Sequence, residues 1–150
     1  MTTTIGYDEI AGLPGRDLGF TDYVEVTQDR VNTFADATDD HQYIHIDPER
    51  AKHGPFGTTV AHGFLTLSLT VPLWGRLLEV DGVGTKVNYG LDRVRFVSPV
   101  TVGARIRMGA VVAEVTEVPG GYQLAVDETI EIEGATKPAM VARALFRFYA

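Results

Sequence analysis

The sequence has 150 residues, enough for one domain around a single core and too few for two. Apolar residues make up 45% and charged residues 22%, a globular rather than a disordered composition. A net charge of −7 argues against a nucleic-acid binder and against adsorption to anionic lipid, and the absence of cysteine removes disulfides, thiolate nucleophiles and Cys-ligated metals.

The first residues, Met1 to Gly6, lack the basic and apolar regions of a signal peptide, so a cytoplasmic protein is expected. Tyr23 to Thr27 alternates and predicts a short strand. Thr27 then stands as N-cap of a helix whose apolar stripe is Val31, Phe34, Ala35 and Thr38. The polar run Asp39-Asp40-His41-Gln42 ends it. Asp47-Pro48, a cap followed by proline at the first helical position, opens a short turn that closes at Gly54-Pro55-Phe56-Gly57. From Phe64 to Glu79 the apolar residues run nearly all the way round a helix, which predicts burial on most sides, with Pro72 kinking or tightening it. At ~1.5 Å per residue that helix is roughly 24 Å long, about the width of a small sheet.

Everything after Gly82 reads as strand. Lys86–Phe96, Ala104–Val118, Tyr122–Glu133 and Ala139–Tyr149 are rich in Val, Ile, Phe and Tyr, with turns at Pro119-Gly120-Gly121 and at Gly134 to Pro138. Met140, Ala142, Ala144, Phe146 and Phe148 share one parity of the last strand, opposite Arg143 and Arg147, so it offers one apolar face. Consecutive strands with short turns imply an antiparallel sheet, and the apolar helix is what can cover it. The expectation is one α+β domain over residues 1–150: a curled antiparallel sheet around a central buried helix. Such a sheet leaves a long edge and part of the helix uncovered, which predicts a homodimer.

All four histidines, His41, His45, His53 and His62, fall in one window with Asp39, Asp40 and Asp47, in loops flanking the apolar helix. Loops on a rigid scaffold are where catalytic groups concentrate. Three uses of these residues are open. Aspartates can end or cap helices and histidines can be solvated or structural, the use assigned to Asp47 and His53. His41 and His45, four apart, can ligate a metal if they share a helical face, but the stretch is loop-like and has no third ligand at clear spacing. Asp40 and His45, five apart across an irregular loop, can converge on one water. Near neutral pH an aspartate is ionised and a histidine mostly neutral, the state needed to take a proton from water and return it.

Phe34-Ala35-Asp36-Ala37-Thr38-Asp39-Asp40-His41-Gln42-Tyr43-Ile44-His45-Ile46-Asp47-Pro48 resembles the "hydratase 2" signature of MaoC-like (R)-specific enoyl-CoA hydratases. That signature has an aspartate five residues before a histidine, an apolar residue just before the histidine, and Asp-Pro soon after. Val60-Ala61-His62-Gly63-Phe64-Leu65 resembles the second family motif, the entry to the central helix of a hot-dog fold. Gln42 and Tyr43 match the single-hot-dog variant related to nodulation protein N rather than the commoner Asn-Pro form. The resemblance implies a hydro-lyase in which Asp40 and His45 activate water and the Gly63 backbone N–H binds the thioester oxygen. Orphan N–H groups at a helix start suit that task. It also implies Tyr43 near the substrate, an acyl-CoA thioester as partner, and no metal and no separate cofactor, since CoA is part of the substrate. A serine that some members carry further along the helix is replaced here by Val71. His62 is expected to orient the loop or pack. The stretch Asn88 to Phe96 mixes polar groups into a strand built for burial. Part of it is a candidate to line the acyl tunnel or to meet CoA phosphates through Arg93 or Arg95. The alternative is a solvated or dimer-facing strand, with Lys86, Arg93, Arg95, Arg105 and Arg107 on the outer face of a sheet. The rivals are a carrier-protein dehydratase or a thioesterase on the same fold, and an idle acyl-thioester-binding module.

Overall fold

A computed structural model describes all 150 residues. The chain opens with strand β1 (Thr3–Gly6), a 3-10 turn (Tyr7–Gly12) and strand β2 (Asp17–Phe20), each too short to carry a readable alternation. Strand β3 is only Val24–Glu25, shorter than the expected Tyr23 to Thr27. Helix α1 (Gln28–Thr38) starts where its cap predicts: Thr27 Oγ1 accepts from the Arg30 N–H at 3.2 Å. Two single-turn helices follow, α2 (Tyr43–Ile46) and α3 (Pro48–Ala51), the second capped by Asp47, whose Oδ1 accepts from the Arg50 N–H at 3.0 Å.

The central helix α4 covers Gly63–Leu77, starting one residue before the expected Phe64 and ending two before Glu79, because Leu78–Asp81 leaves as strand β4 and pairs in parallel with β1. The long strands β5 (Thr85–Phe96), β6 (Arg105–Val118), β7 (Gly121–Ile132) and β8 (Met140–Tyr149) complete the fold. Antiparallel pairing in the order β2-β6-β7-β8-β5, with β3 also on β6, makes one six-stranded sheet curled around α4. This is the α+β arrangement expected, a hot-dog. The β6–β7 hairpin turns on two residues, where Pro119 presets φ and Gly120 takes φ +83, the pattern of a type II turn. A Cβ on Gly121 would collide with the Phe148 carbonyl oxygen, so glycine is what lets β8 pair this closely.

Leu65, Leu69, Leu73 and Leu77 of α4 are buried, each contributing about 1.5–3 kcal/mol, and Trp74 stacks on Phe146 with centroids 5.1 Å apart and planes 4° from parallel. Burial does not extend round the helix as its composition suggested. Phe64 is 70% exposed and Val71 42%, because the sheet wraps one side of α4 and nothing in a single chain covers the other. The same side of the molecule carries β5, hydrogen-bonded to β8 only and solvent-exposed along almost its whole length.

One inner position is not apolar. Glu128 of β7 lies between Val126 and Ile130, is 1% exposed, and neither carboxylate oxygen has a hydrogen-bond partner. Its cross-strand neighbours, Ala110 and Ala142, are small enough to leave the carboxyl room. Burial pushes its pKa up from the usual 4.5 to about 7, with the Thr70 hydroxyl of α4 pulling the other way. On the outer face the basic residues are matched across strands. Arg143 grips Asp127 through two bonds of 2.7 and 2.8 Å, holding that carboxyl below its usual range, while Arg105 pairs with Glu133 and Arg107 with Glu131. No helix is long and apolar enough to cross a membrane.

Candidate active site

The site begins where α1 stops. Asp39 takes φ +59, the only non-glycine residue with positive φ, and this left-handed turn sends the chain out of the helix at Asp40. Aspartate tolerates that conformation better than most residues, and strained backbone of this kind collects at functional sites. His45 follows within α2 and is buried at 7% exposure. Its Nδ1–H donates to the Val60 carbonyl at 2.6 Å, so the lone pair of the neutral ring lies on Nε2. Val60 also donates its N–H to the Ile44 carbonyl at 2.9 Å, and the two bonds fix the ring against the strand-like segment before α4.

Gln28 at the start of α1 ties the same loop from the other side. Its Nε2 donates to the His45 carbonyl at 2.7 Å and to Asn32 Oδ1 at 2.9 Å, while its Oε1 accepts from the Thr59 hydroxyl at 2.8 Å. Each amide atom is used, so the residue works as a rigid bracket. Sequence reading missed it, because a glutamine one position after a cap looks like solvated helix surface.

His62 is the N-cap residue of α4, but its side chain does not cap the helix. Its ring is 2% exposed, stacks on His45 with centroids 3.8 Å apart and planes 24° from parallel, and meets Phe34 on a tilt at 4.9 Å. Its Nε2–H donates to the Asp40 carbonyl at 2.9 Å, leaving Nδ1 buried without a partner. The expected orienting and packing roles are thus filled by one ring. Asp40 itself is half exposed, with Oδ2 4.0 Å from His62 Nε2. One polar atom from each of Asp40, His45 and His62 lies within 4.8 Å of the others.

At the start of α4, the Leu65 and Thr66 N–H groups both return to the His62 carbonyl, whereas those of Gly63 and Phe64 find no acceptor in the chain. Two free donors thus sit at the positive end of a 15-residue helix, on residues that line the cavities beside His45, Gly63 in both and Phe64 in the smaller. The larger cavity, about 380 Å³, is mostly apolar and runs past Gly63, Thr66 and Phe96 to Val100 and Ala139. That is within the range of small-molecule sites.

The structure brings Asp40, His45 and Gly63 together and leaves two other candidates out. Tyr43 lines neither cavity: its ring lies under the Arg50 guanidinium at 4.1 Å and against Gly54. His41 does not meet His45 but pairs with Asp36 at 2.9 Å on the surface, and this hydrogen bond raises its pKa. The three-residue group that does form is built for hydrogen bonding. His45 and His62 each give one nitrogen to a main-chain carbonyl, and their near-parallel rings aim their in-plane nitrogens side by side, unlike the convergent donors of a tetrahedral metal centre. Of the arginines considered for phosphate binding, Arg93 leans on Asp127 at 3.6 Å, while Arg95 has no carboxylate partner.

The family model described as "MaoC like domain" matches residues 9–132. The chain is 47% identical over 151 residues to 3-hydroxyacyl-thioester dehydratase Z of Mycobacterium tuberculosis, with all of both chains covered. It is 44% identical over 132 residues to nodulation protein N of Rhizobium leguminosarum bv. viciae, covering 85% of this chain and 81% of the relative. Among solved structures, the (R)-hydratase from A. caviae involved in PHA biosynthesis superposes with a TM-score of 0.73 at 23% identity, covering 89% of this chain and 94% of that one. With the hot-dog sheet, the helix-start donors and the Asp-five-His loop all in place, the chain belongs to the MaoC-like family of hydratases and dehydratases and is a hydro-lyase.

Proposed function

We propose that the protein is an (R)-specific enoyl-CoA hydratase, interconverting a trans-2-enoyl thioester plus water with the (R)-3-hydroxyacyl thioester. The observation that carries this reading is that Asp40, His45 and Gly63, whose N–H is free, line one cleft, and that His45 and Gly63 also line the apolar cavity beside it. A water held between Asp40 and His45 gives a proton to the dyad as its oxygen bonds to C3. The C2=C3 electron pair moves toward the thioester oxygen, where the Gly63 N–H and the α4 dipole meet the developing negative charge. Return of a proton from the dyad to C2 completes addition of H and OH, and dehydration follows the same path backward. No metal and no separate cofactor takes part, so activity is expected to survive a strong chelator.

The working unit is proposed to be a homodimer. β5 is a long unpaired edge with Val87, Tyr89 and Leu91 exposed, beside the uncovered Phe64 and Val71 of α4, and an edge this long and apolar is a liability unless paired. A second copy related by a twofold axis would cover edge and helix at once.

The test is a spectrophotometric assay of purified protein with short and medium trans-2-enoyl-CoAs, followed by chiral analysis of the product. Loss of the conjugated enoyl absorbance with formation of the (R)-alcohol is expected. Release of free thiol without hydration would indicate a thioesterase. Tight binding of acyl-CoA without turnover would indicate a binding module. Turnover confined to carrier-protein thioesters would reassign the substrate.

A further inference from the structure

His45, Gly63 and Phe96 line two cavities at once. One is the apolar chamber of about 380 Å³; the other is a cleft of about 280 Å³ that also holds Asp40, His62 and Phe64. The groups that can move protons are therefore gathered at the cleft, while the chamber is walled mainly by Ile44, Phe56, Val60, Val97 and Val100. Phe96 stands where the two meet. A Cβ placed on Gly63 would be 3.3 Å from three atoms of its ring, so the ring lies directly over the Gly63 α-carbon.

The backbone holding that ring is well fixed. Phe96 is the last residue of β5 and pairs with Met140, and the next two N–H groups, of Val97 and Ser98, both bond to the Ala139 carbonyl. The side chain is less confined: one face rests on Gly63, Phe64 lies on a tilt at 6.2 Å, and 46% of the residue is exposed. A fixed backbone bearing a half-free ring can narrow a passage without closing it.

We propose that Phe96 is the specificity-determining residue of the site, its ring setting which acyl tails pass from the cleft into the chamber. The inference rests on the hydration reading above. With the thioester oxygen on the Gly63 N–H, C3 must meet the water at Asp40 and His45. The carbons beyond C3 then have the chamber to enter, and they pass Phe96 to reach it. At about 30 Å³ per water-sized group the chamber has room for on the order of ten methylene-sized units, so length is accommodated. Width at Phe96 is what discriminates. An unbranched tail slides along the ring, whereas a methyl on C4 meets it next to Gly63, where contact is already close.

The test compares kcat/KM for trans-2-octenoyl-CoA, crotonyl-CoA and 4-methyl-trans-2-pentenoyl-CoA in the wild type, Phe96→Ala, Phe96→Leu and Phe96→Trp. One methyl in a tight apolar site discriminates by about 10–200-fold. Phe96→Ala and Phe96→Leu are therefore expected to raise the branched-to-octenoyl ratio at least tenfold. Phe96→Trp is expected to lower the octenoyl-to-crotonyl ratio by a similar factor. Leu keeps most of the apolar contact with Gly63, so it reports even if the alanine variant folds poorly. A wild type that hydrates these thioesters, with ratios unmoved in folded variants or all substrates falling together, overturns the gate and leaves the hydratase reading intact. A wild type that hydrates none of them overturns both.

Discussion

Replacing Glu128 with glutamine keeps the shape of a buried side chain and removes its ability to ionise. In the folded protein the carboxyl titrates at about 7 instead of the usual 4.5, because burial among Val126, Ile130, Ala110 and Ala142 disfavours its charged form more than the neighbouring Thr70 hydroxyl favours it. A raised carboxylate pKa means the folded state holds a proton that the unfolded chain has already released. Its contribution is fully present below about pH 4.5, falls by about 1.4 kcal/mol per pH unit above that, and is gone above about pH 7. Over the 2.5 units from 4.5 to 7 the loss accumulates to about 3 kcal/mol. Glu128→Gln does not share that loss, so its stability relative to the wild type should climb by about 3 kcal/mol between pH 4.5 and pH 8. For a domain of this length each kcal/mol moves Tm by roughly 2–4 °C, giving a relative change of roughly 6–12 °C. Urea and thermal unfolding of both proteins at one fixed concentration, every half pH unit, would measure it; fixed concentration removes any mass-action effect of dimerisation. A stability difference that stays flat from pH 4.5 to 8 would refute the account of Glu128 as an unpaired acid in the core.

Gly63→Ala places a methyl against the Phe96 ring and beside the N–H that receives the thioester oxygen. Alanine keeps the N–H, but its methyl crowds the approach of the thioester oxygen to it. Outright loss of such a donor costs ~10²–10³ in kcat, so a fall toward that order with unchanged circular dichroism is expected, and full activity would move the oxygen site elsewhere. Gln28→Ala breaks the bracket between α1, the His45 carbonyl and Thr59. It should cost about 1–3 kcal/mol in urea unfolding and lower kcat more than it raises KM, and a neutral result would show that α2 is held without it. Leu91→Arg puts a charge on the exposed β5 edge and should shift sedimentation from dimer toward monomer; an unaltered dimer would place the interface on another surface.

The four long strands begin and end within one residue of where alternation and turn chemistry put them, because runs of ten or more residues leave the pattern little freedom. The four-residue strands β1 and β2 carry no such run. β1 exists because Leu78 to Asp81, more than seventy residues on, offers it an edge. Asp40 and His45 were singled out by their spacing and Gly63 through the resemblance, and short loops ahead of α4 bring the three together. Gln28 was not legible, because it reaches the site through tertiary contact from a segment that looks ordinary by itself, and Phe96 was legible only as the end of the Asn88 to Phe96 stretch, a candidate wall of the acyl tunnel. Glu128 did leave a signal: it has the parity of Val126 and Ile130, and an acid on the apolar face of a strand is a buried acid. Tyr43 was assigned through the resemblance alone, and packing against Arg50 and Gly54 takes it out of the cavity.

The central claim is that Asp40 and His45 act as one unit on one water. Asp40→Asn keeps the hydrogen-bonding shape without the charge, and His45→Gln keeps reach without a group that cycles a proton near neutral pH. Steady-state hydration of one enoyl-CoA by the two single variants and the double variant, with binding of a saturated acyl-CoA as control, measures the coupling directly. Each single change should lower kcat by ~10²–10⁴, with the double variant little worse than the worse single one and acyl-CoA affinity nearly unchanged. Near-normal turnover in either single variant, or losses that multiply in the double variant, would contradict it.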